Sequence, residues 1–260
     1  MKKMLAFILA LTMIFALAAC GGSGKSQAAP ASEVLTMATS PDFPPFEELQ
    51  SDGSVVGIEV DLLELICEKL GKTLQIEQMD FDSVLPGVQA GKYDVGVSGI
   101  SVTEKRQKNV LFTDPYCLAA QAIVVLGGSD ITGKADLDGK KIAVQTGTTA
   151  ESLCMENGYE VSSFAANSDA ELALVTGKVD AWVIDDLTAA EMVKAYNAEN
   201  GEVLVILGEA MTTEPYAFAF AFGSEELVAQ INDILKGLVE DGTVAALFEK
   251  YDAPYTSPLN

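Results

Sequence analysis

The sequence predicts an α/β protein of two similar lobes joined by two crossing strands, and three observations carry that expectation. Strand-like and helix-like segments alternate through both halves of the chain. A phrase recurs: Gln89-Ala90-Gly91-Lys92-Tyr93-Asp94-Val95 and Val175-Thr176-Gly177-Lys178-Val179-Asp180-Ala181 each read helix end, Gly, Lys, any residue, Asp, strand. Two long apolar runs, Leu118 to Leu126 and Tyr216 to Phe222, suit one strand leaving the first lobe and one returning. The expected division gives residues 33–120 and 219–260 to the first lobe and 121–218 to the second.

Composition narrows the chemistry. A chain of 260 residues that is 49% hydrophobic and carries few prolines is globular, with room for one large domain or two medium ones. The formal net charge of −22 excludes electrostatic binding of nucleic acid. There is no histidine, which removes Ser-His-Asp and Cys-His nucleophile systems and every His-ligated metal site. The four cysteines form no Cys-x-x-Cys pair. Cys67, Cys117 and Cys154 lie in apolar runs and read as buried thiols. No catalytic group, cofactor or metal is expected.

The N-terminus reads as an address. Met1-Lys2-Lys3 and the apolar run Met4 to Ala18 make a secretory signal over residues 1–19, too short for a membrane span. Leu17-Ala18-Ala19-Cys20 resembles the bacterial lipobox, which implies lipidation of Cys20. The same residues also read as an ordinary Ala-x-Ala cleavage with a cysteine nearby. Glycine- and serine-rich residues 20–32 read as a flexible tether.

Taken in order, Val34 to Thr39 is a strand, and the loop Ser40 to Phe46 follows. Phe43 and Phe46 between prolines suit either a core plug or an aromatic wall of a cleft. Val60, Leu63, Ile66, Cys67 and Leu70 form a helical stripe that Gly71 ends. Thr73 to Gln78 is a second strand, and Asp82 caps a helix through Ala90. Tyr93 to Arg106 then passes from strand through Gly and Ser into a helix capped by Thr103. Val110 to Phe112 is a short strand before the first apolar crossing. The second lobe repeats the alternation: strand Lys140 to Val144, a Gly147-Thr148-Thr149 bend, a helix to Asn157, strand Val161 to Phe164, helix Asp169 to Thr176, strand Ala181 to Ile184 and helix Leu187 to Asn197. Helices from Ser224 and from Thr243 return to the first lobe.

The stretch Tyr93 to Arg106 is the candidate site. Free backbone N–H groups at a helix start, the hydroxyls of Ser98 and Ser101, and the fork of Arg106 together suit a small anionic group. The stretch reads equally as a capped surface helix with a solvated Arg106.

Gly57-Ile58-Glu59-Val60-Asp61-Leu62, Gly99-Ile100-Ser101-Val102-Thr103-Glu104-Lys105-Arg106, Phe112-Thr113-Asp114-Pro115-Tyr116, Val144-Gln145-Thr146-Gly147-Thr148-Thr149 and Asp180-Ala181-Trp182-Val183-Ile184-Asp185 resemble the motifs of family 3 solute-binding proteins, the polar amino-acid receptors of ABC importers. The resemblance covers residues 33 to 252. It implies two Rossmann-like lobes joined by a two-stranded hinge, the type II periplasmic-binding-protein fold, with a free L-amino acid bound between them. By position, Arg106 and the backbone N–H groups of Ser101 and Thr149 would hold the ligand α-carboxylate. Asp185, the Gly99 carbonyl and the Ser101 hydroxyl would hold the α-ammonium, and Phe43 and Phe81 would flank the side chain. Ser98 and Thr148 are expected to bind the ligand as well. Relatives carry an acidic residue in place of Ser40 and some carry Lys in place of Gln145, so an uncharged or moderately polar ligand side chain is expected, with Asp42 able to substitute. The partners implied are the permease subunits of an ABC transporter. A lipid-anchored monomer on the outer, extracytoplasmic face of the bacterial membrane is expected.

Two rival roles remain at this level. The same fold hosts cyclohexadienyl dehydratases, for which Asp42, Glu47 and Asp185 are candidate acids. A sensor that reports its ligand to a membrane receptor is the other.

Overall fold

A computed structural model describes residues 33–258, which lie in one compact unit. The signal peptide, Cys20 and the tether lie outside the described residues. No helix among the described residues is long and apolar enough to cross a membrane.

The chain runs β1 (Val34–Thr39), β2 (Asp42–Phe43), β3 (Glu47–Leu49), β4 (Val55–Val56), α1 (Ile58–Leu70), β5 (Thr73–Gln78), α2 (Phe81–Gln89), β6 (Val95–Gly96), α3 (Glu104–Gln107) and β7 (Leu111–Phe112). It continues through β8 (Cys117–Ala119), β9 (Gln121–Leu126), β10 (Lys141–Gln145), α4 (Thr149–Glu156), β11 (Glu160–Phe164), α5 (Asn167–Val175), β12 (Ala181–Asp185), α6 (Asp186–Asn200) and β13 (Leu204–Ile206). It ends with β14 (Glu214–Tyr216), β15 (Ala219–Phe220), α7 (Glu225–Glu240) and α8 (Thr243–Lys250).

Two five-stranded sheets form, ordered β5-β1-β6-β15-β7 and β11-β10-β12-β9-β13. In each, the strands linked by helices pair in parallel, while strands that arrive from the crossings, β15 and β9, pair antiparallel. The expected two-lobed α/β fold therefore holds. The repeated phrase has a common structural job. Asp94 Oδ2 accepts from the Thr36 backbone N–H at 2.7 Å, and Asp180 Oδ2 accepts from that of Lys141 at 2.7 Å. In both lobes an aspartate entering one parallel strand ties down the start of its neighbour.

Both apolar crossings differ from the single long strands expected. The first breaks at Ala120 into β8 and β9, and the second breaks after Tyr216 into β14 and β15. One segment of each run belongs to a lobe sheet, and β8 and β14 pair antiparallel with each other as the linking ribbon. A hydropathy pattern cannot register this break, because both sides of it are buried. Helix α2 begins at Phe81 with Asp80 as its cap residue, so Asp82 sits in the first turn and caps nothing. Strand β13 was not expected from the sequence; its short Leu-Val-Ile pairs against β9.

The core of the first lobe joins Met37, Phe46, Ile66, Phe218 and Phe248, and α7 and α8 pack back against α1. Lys250 and Tyr251 donate to Asp61, fixing α8 to α1. Cys67, Cys117 and Cys154 are free buried thiols as expected, and burial pushes Cys67 up to about 11 and Cys154 to about 12. Neither is a ready thiolate at neutral pH.

Candidate ligand-binding site

The parallel strands of both sheets end toward one cleft, the place where open α/β sheets carry ligands. Ser40 follows β1, Phe81 follows β5, and Ser98, Gly99 and Ser101 follow β6. From the other lobe, Gln145 ends β10, Thr148 and Thr149 open α4, and Asp185 ends β12. These nine residues line one small pocket together with Arg106, Phe43 and Asp42. Every site residue expected from the sequence is thus brought to one place. A larger cavity of about 570 Å³ shares Phe81, Arg106, Thr148 and Thr149 and runs outward past Thr212 and Glu214. The small pocket alone gathers Asp42, Asp185 and Arg106, and it is the candidate recognition site.

Arg106 is held rather than solvated. Thr103 caps its helix by accepting from the Arg106 backbone N–H at 3.2 Å. The guanidinium donates to the Ser101 carbonyl at 2.9 Å and, across the cleft, to the Gly147 carbonyl at 3.2 Å. Its carbon lies 5.6 Å from the centre of the Phe81 ring, a cation–π contact. Burial pulls the Arg106 pKa down, and the charges of Glu214 and Asp185 oppose that pull.

Asp185 is 6% exposed and accepts from the Tyr216 hydroxyl. Burial, helped by the charge of Glu214, raises its pKa to about 7, against hydrogen bonds from Tyr216 and Gln121 that lower it. It is a carboxylate short of a cation.

Asp42 reaches the pocket, which the sequence left open. It accepts from the Ser40 hydroxyl at 2.9 Å and crosses the cleft to the Asn167 backbone N–H at 2.7 Å and Gln145 Nε2 at 3.2 Å. Burial raises its pKa against those bonds. No cation among the described residues forms an ion pair with it.

The first-lobe wall is braced from beneath by two buried glutamates. Glu47 accepts from the Ser98 hydroxyl at 2.9 Å, and Glu59 accepts from the Gly99 backbone N–H at 2.8 Å and from the Tyr116 hydroxyl. Burial and the neighbouring charge of Glu59 drive the Glu47 pKa well up. Gly99 has φ +53, and a Cβ there would lie 2.3 Å from the Phe43 ring. Both roles offered for the phenylalanines are filled: Phe46 is a core plug, and Phe43 stacks on it at 5.7 Å while facing the pocket.

Glu214, Tyr216, Asn167 and Gln121 escaped sequence reasoning. Glu214 and Tyr216 stand in the second crossing, where their apolar neighbours suggest only a core strand.

Residues 35–253 match the model of bacterial extracellular solute-binding proteins, family 3. A probable histidine-binding protein of Neisseria gonorrhoeae is 32% identical, over 97% of this chain and 96% of that protein. Among solved structures, an ancestral arginine-binding protein bound to glutamine is 40% identical with a TM-score of 0.79, covering 85% of this chain and 99% of that one. An ancestral amino acid-binding protein described as a precursor of cyclohexadienyl dehydratase is 33% identical with a TM-score of 0.76, over 84% and 95% of the two chains. With the fold, the cleft and a family match over nearly all the described residues, this chain belongs to the family 3 extracellular solute-binding proteins of bacteria.

Proposed function

We propose that this protein binds one free amino acid with a cationic side chain between its lobes and delivers it to an ABC permease, held at the outer membrane face by lipid on Cys20. The observation that carries the reading is the charge pattern of the pocket: one guanidinium, Arg106, against two carboxylates, Asp185 and Asp42, neither of which forms an ion pair among the described residues. A cationic amino acid is the complement, with one carboxylate and two cations. Arg106, with the N–H groups of Ser101 and Thr149, would take the α-carboxylate. Asp185, the Gly99 carbonyl and the Ser101 hydroxyl would take the α-ammonium, and Phe43 and Phe81 would flank the side chain as it reaches Asp42. This replaces the uncharged side chain expected from Ser40 and Gln145, since Asp42 supplies the charge those positions lack. Relatives named for binding arginine support the same class, though an ancestral one is also solved with glutamine.

Calorimetry with L-arginine and L-citrulline tests it, because citrulline keeps the shape of arginine without the charge. A hydrogen bond to a charged group contributes about 1.5–3 kcal/mol, so arginine should bind roughly ten- to a hundredfold more tightly. Asp42→Asn should narrow that gap. Equal affinity for the two, or conversion of prephenate to an aromatic product, would overturn the reading. For the anchor, Cys20→Ala should leave the protein unprocessed or released from the membrane fraction; a mature, membrane-bound variant would refute lipidation.

A further inference from the structure

Glu214 stands on linking strand β14, 8% exposed, with both oxygens engaged. Its Oε2 accepts from the Ser101 hydroxyl of the first lobe and, at 2.7 Å, from the Thr149 hydroxyl of the second. Its Oε1 accepts from the Thr212 hydroxyl at 2.9 Å. The two lobes thus meet on one carboxylate oxygen. Ser101 is further strapped to β14 by its bridge to Tyr216 and by the Val102 N–H to the Pro215 carbonyl at 2.8 Å. Thr149 has no such backbone tie to β14 and reaches Glu214 through its side chain.

A hydroxyl owns one O–H and two lone pairs. When that single proton points at Glu214, the Ser101 oxygen can offer the pocket only lone pairs. It then accepts from an ammonium and repels a carboxylate. Thr149 is oriented in the same way, and its oxygen accepts from Gln121 Nε2 at 3.3 Å.

We propose that Glu214 is a positioning residue for ligand recognition: by taking the Ser101 and Thr149 protons it fixes the Ser101 hydroxyl as an acceptor for the ligand α-ammonium and ties the second-lobe turn to the linking strand. The inference rests on the amino-acid reading above. In Glu214→Ala both hydroxyls lose the oxygen they share and are free to turn their protons toward the pocket. The amide oxygen of Glu214→Gln can instead take the place of Oε2 and keep both bonds while its nitrogen donates to Thr212.

The test uses L-arginine and 5-guanidinopentanoate, which is arginine without its α-ammonium, with L-glutamine and glutaramate as a second pair. Glu214→Ala should weaken the amino acid about tenfold or more and leave the deaminated partner nearly unchanged, and Glu214→Gln should restore most of the loss. Ser101→Ala should show the same selective loss, and the double variant should lose no more than either single one, since both remove one interaction. Equal losses for the two members of a pair, or additive losses in the double variant, would overturn the role of Glu214. If Glu214→Ala does not fold, Glu214→Met, which keeps the length of the side chain without the carboxylate, decides by the same comparison. Arg106→Ala keeps the two readings apart. No loss there against either compound, or no amino acid bound by the unaltered protein, brings down the amino-acid reading and this one together. A severe loss there beside an unselective Glu214→Ala overturns only the positioning role.

Discussion

At the scale of single residues, Asp185 sets a conflict between stability and binding. Its pKa rises from 3.8 to about 7 in the folded protein, so the stability tied to its proton is fully present below about pH 3.8 and is lost as pH rises through about 7. Asp185→Asn should therefore stabilise the ligand-free protein at pH 8, on the order of a few kcal/mol, with little gain near pH 4. The same variant should lose about two to four decades of ligand affinity, because the α-ammonium is left buried and unpaired. Thermal melts and calorimetry at pH 8 check both halves; a destabilised or fully binding variant would contradict them. Binding to the unaltered protein should weaken about tenfold from pH 8 to pH 6, since the ligand needs Asp185 ionised. A flat profile would mean that the ammonium sits elsewhere. Arg106 answers for the other end of the ligand. Arg106→Ala and Arg106→Lys should both bind a free amino acid far more weakly, as Lys cannot form two parallel hydrogen bonds to a carboxylate. Against the methyl ester of the same amino acid, Arg106→Ala should lose much less. Equal losses for acid and ester would remove Arg106 from the carboxylate.

At the scale of elements, the turns between strand and helix carry the recognition surface, and Gly147 shows how tightly they close. It has φ +81, and a Cβ there would stand 3.0 Å from that of Asp82 across the cleft. Gly147→Ala should weaken the ligand while leaving the circular dichroism spectrum unchanged, because the collision exists only when β10 and α2 approach; unchanged affinity would show that this contact is dispensable. Most of these turns were legible in the sequence. Thr103 before Glu104, Gly71 after a helical stripe, and the two Gly-Lys-x-Asp phrases announce their local geometry through capping and strand entry, and local chemistry survives into the fold. What could not be read depends on partners distant in the chain. Asp42 meets Asn167 across 125 positions and Glu214 meets Ser101 across 113, and neither neighbourhood carries a pattern that points across the cleft. The breaks at Ala120 and after Tyr216 were hidden for a related reason, since a residue passing from one buried environment to another keeps its hydropathy.

At the scale of the whole molecule, the cleft is closed by Asp42 to Asn167, Arg106 to Gly147 and Glu214 to Thr149. Ligand should therefore compact the protein in solution with secondary structure unchanged, and small-angle scattering with and without the amino acid reads this directly. An unchanged radius of gyration at saturation would count against a hinged cleft. The paired crossings bear on what kind of motion this is. A single thread between two bodies permits swivel, tilt and twist together. Two antiparallel threads, β8 and β14 joined by their own ladder, leave one soft rotation, about a line through the breaks at Ala120 and beyond Tyr216. The Leu118 N–H donates to the Thr256 carbonyl at 3.0 Å and the Tyr255 hydroxyl to the Tyr116 carbonyl at 3.1 Å, so the C-terminal residues stiffen the ribbon further. With that single freedom the lobes would close as a door does, along one arc, and each closure would return Asp185 to the same distance from Arg106. Selectivity for one ligand length is then a property of the frame as much as of the pocket.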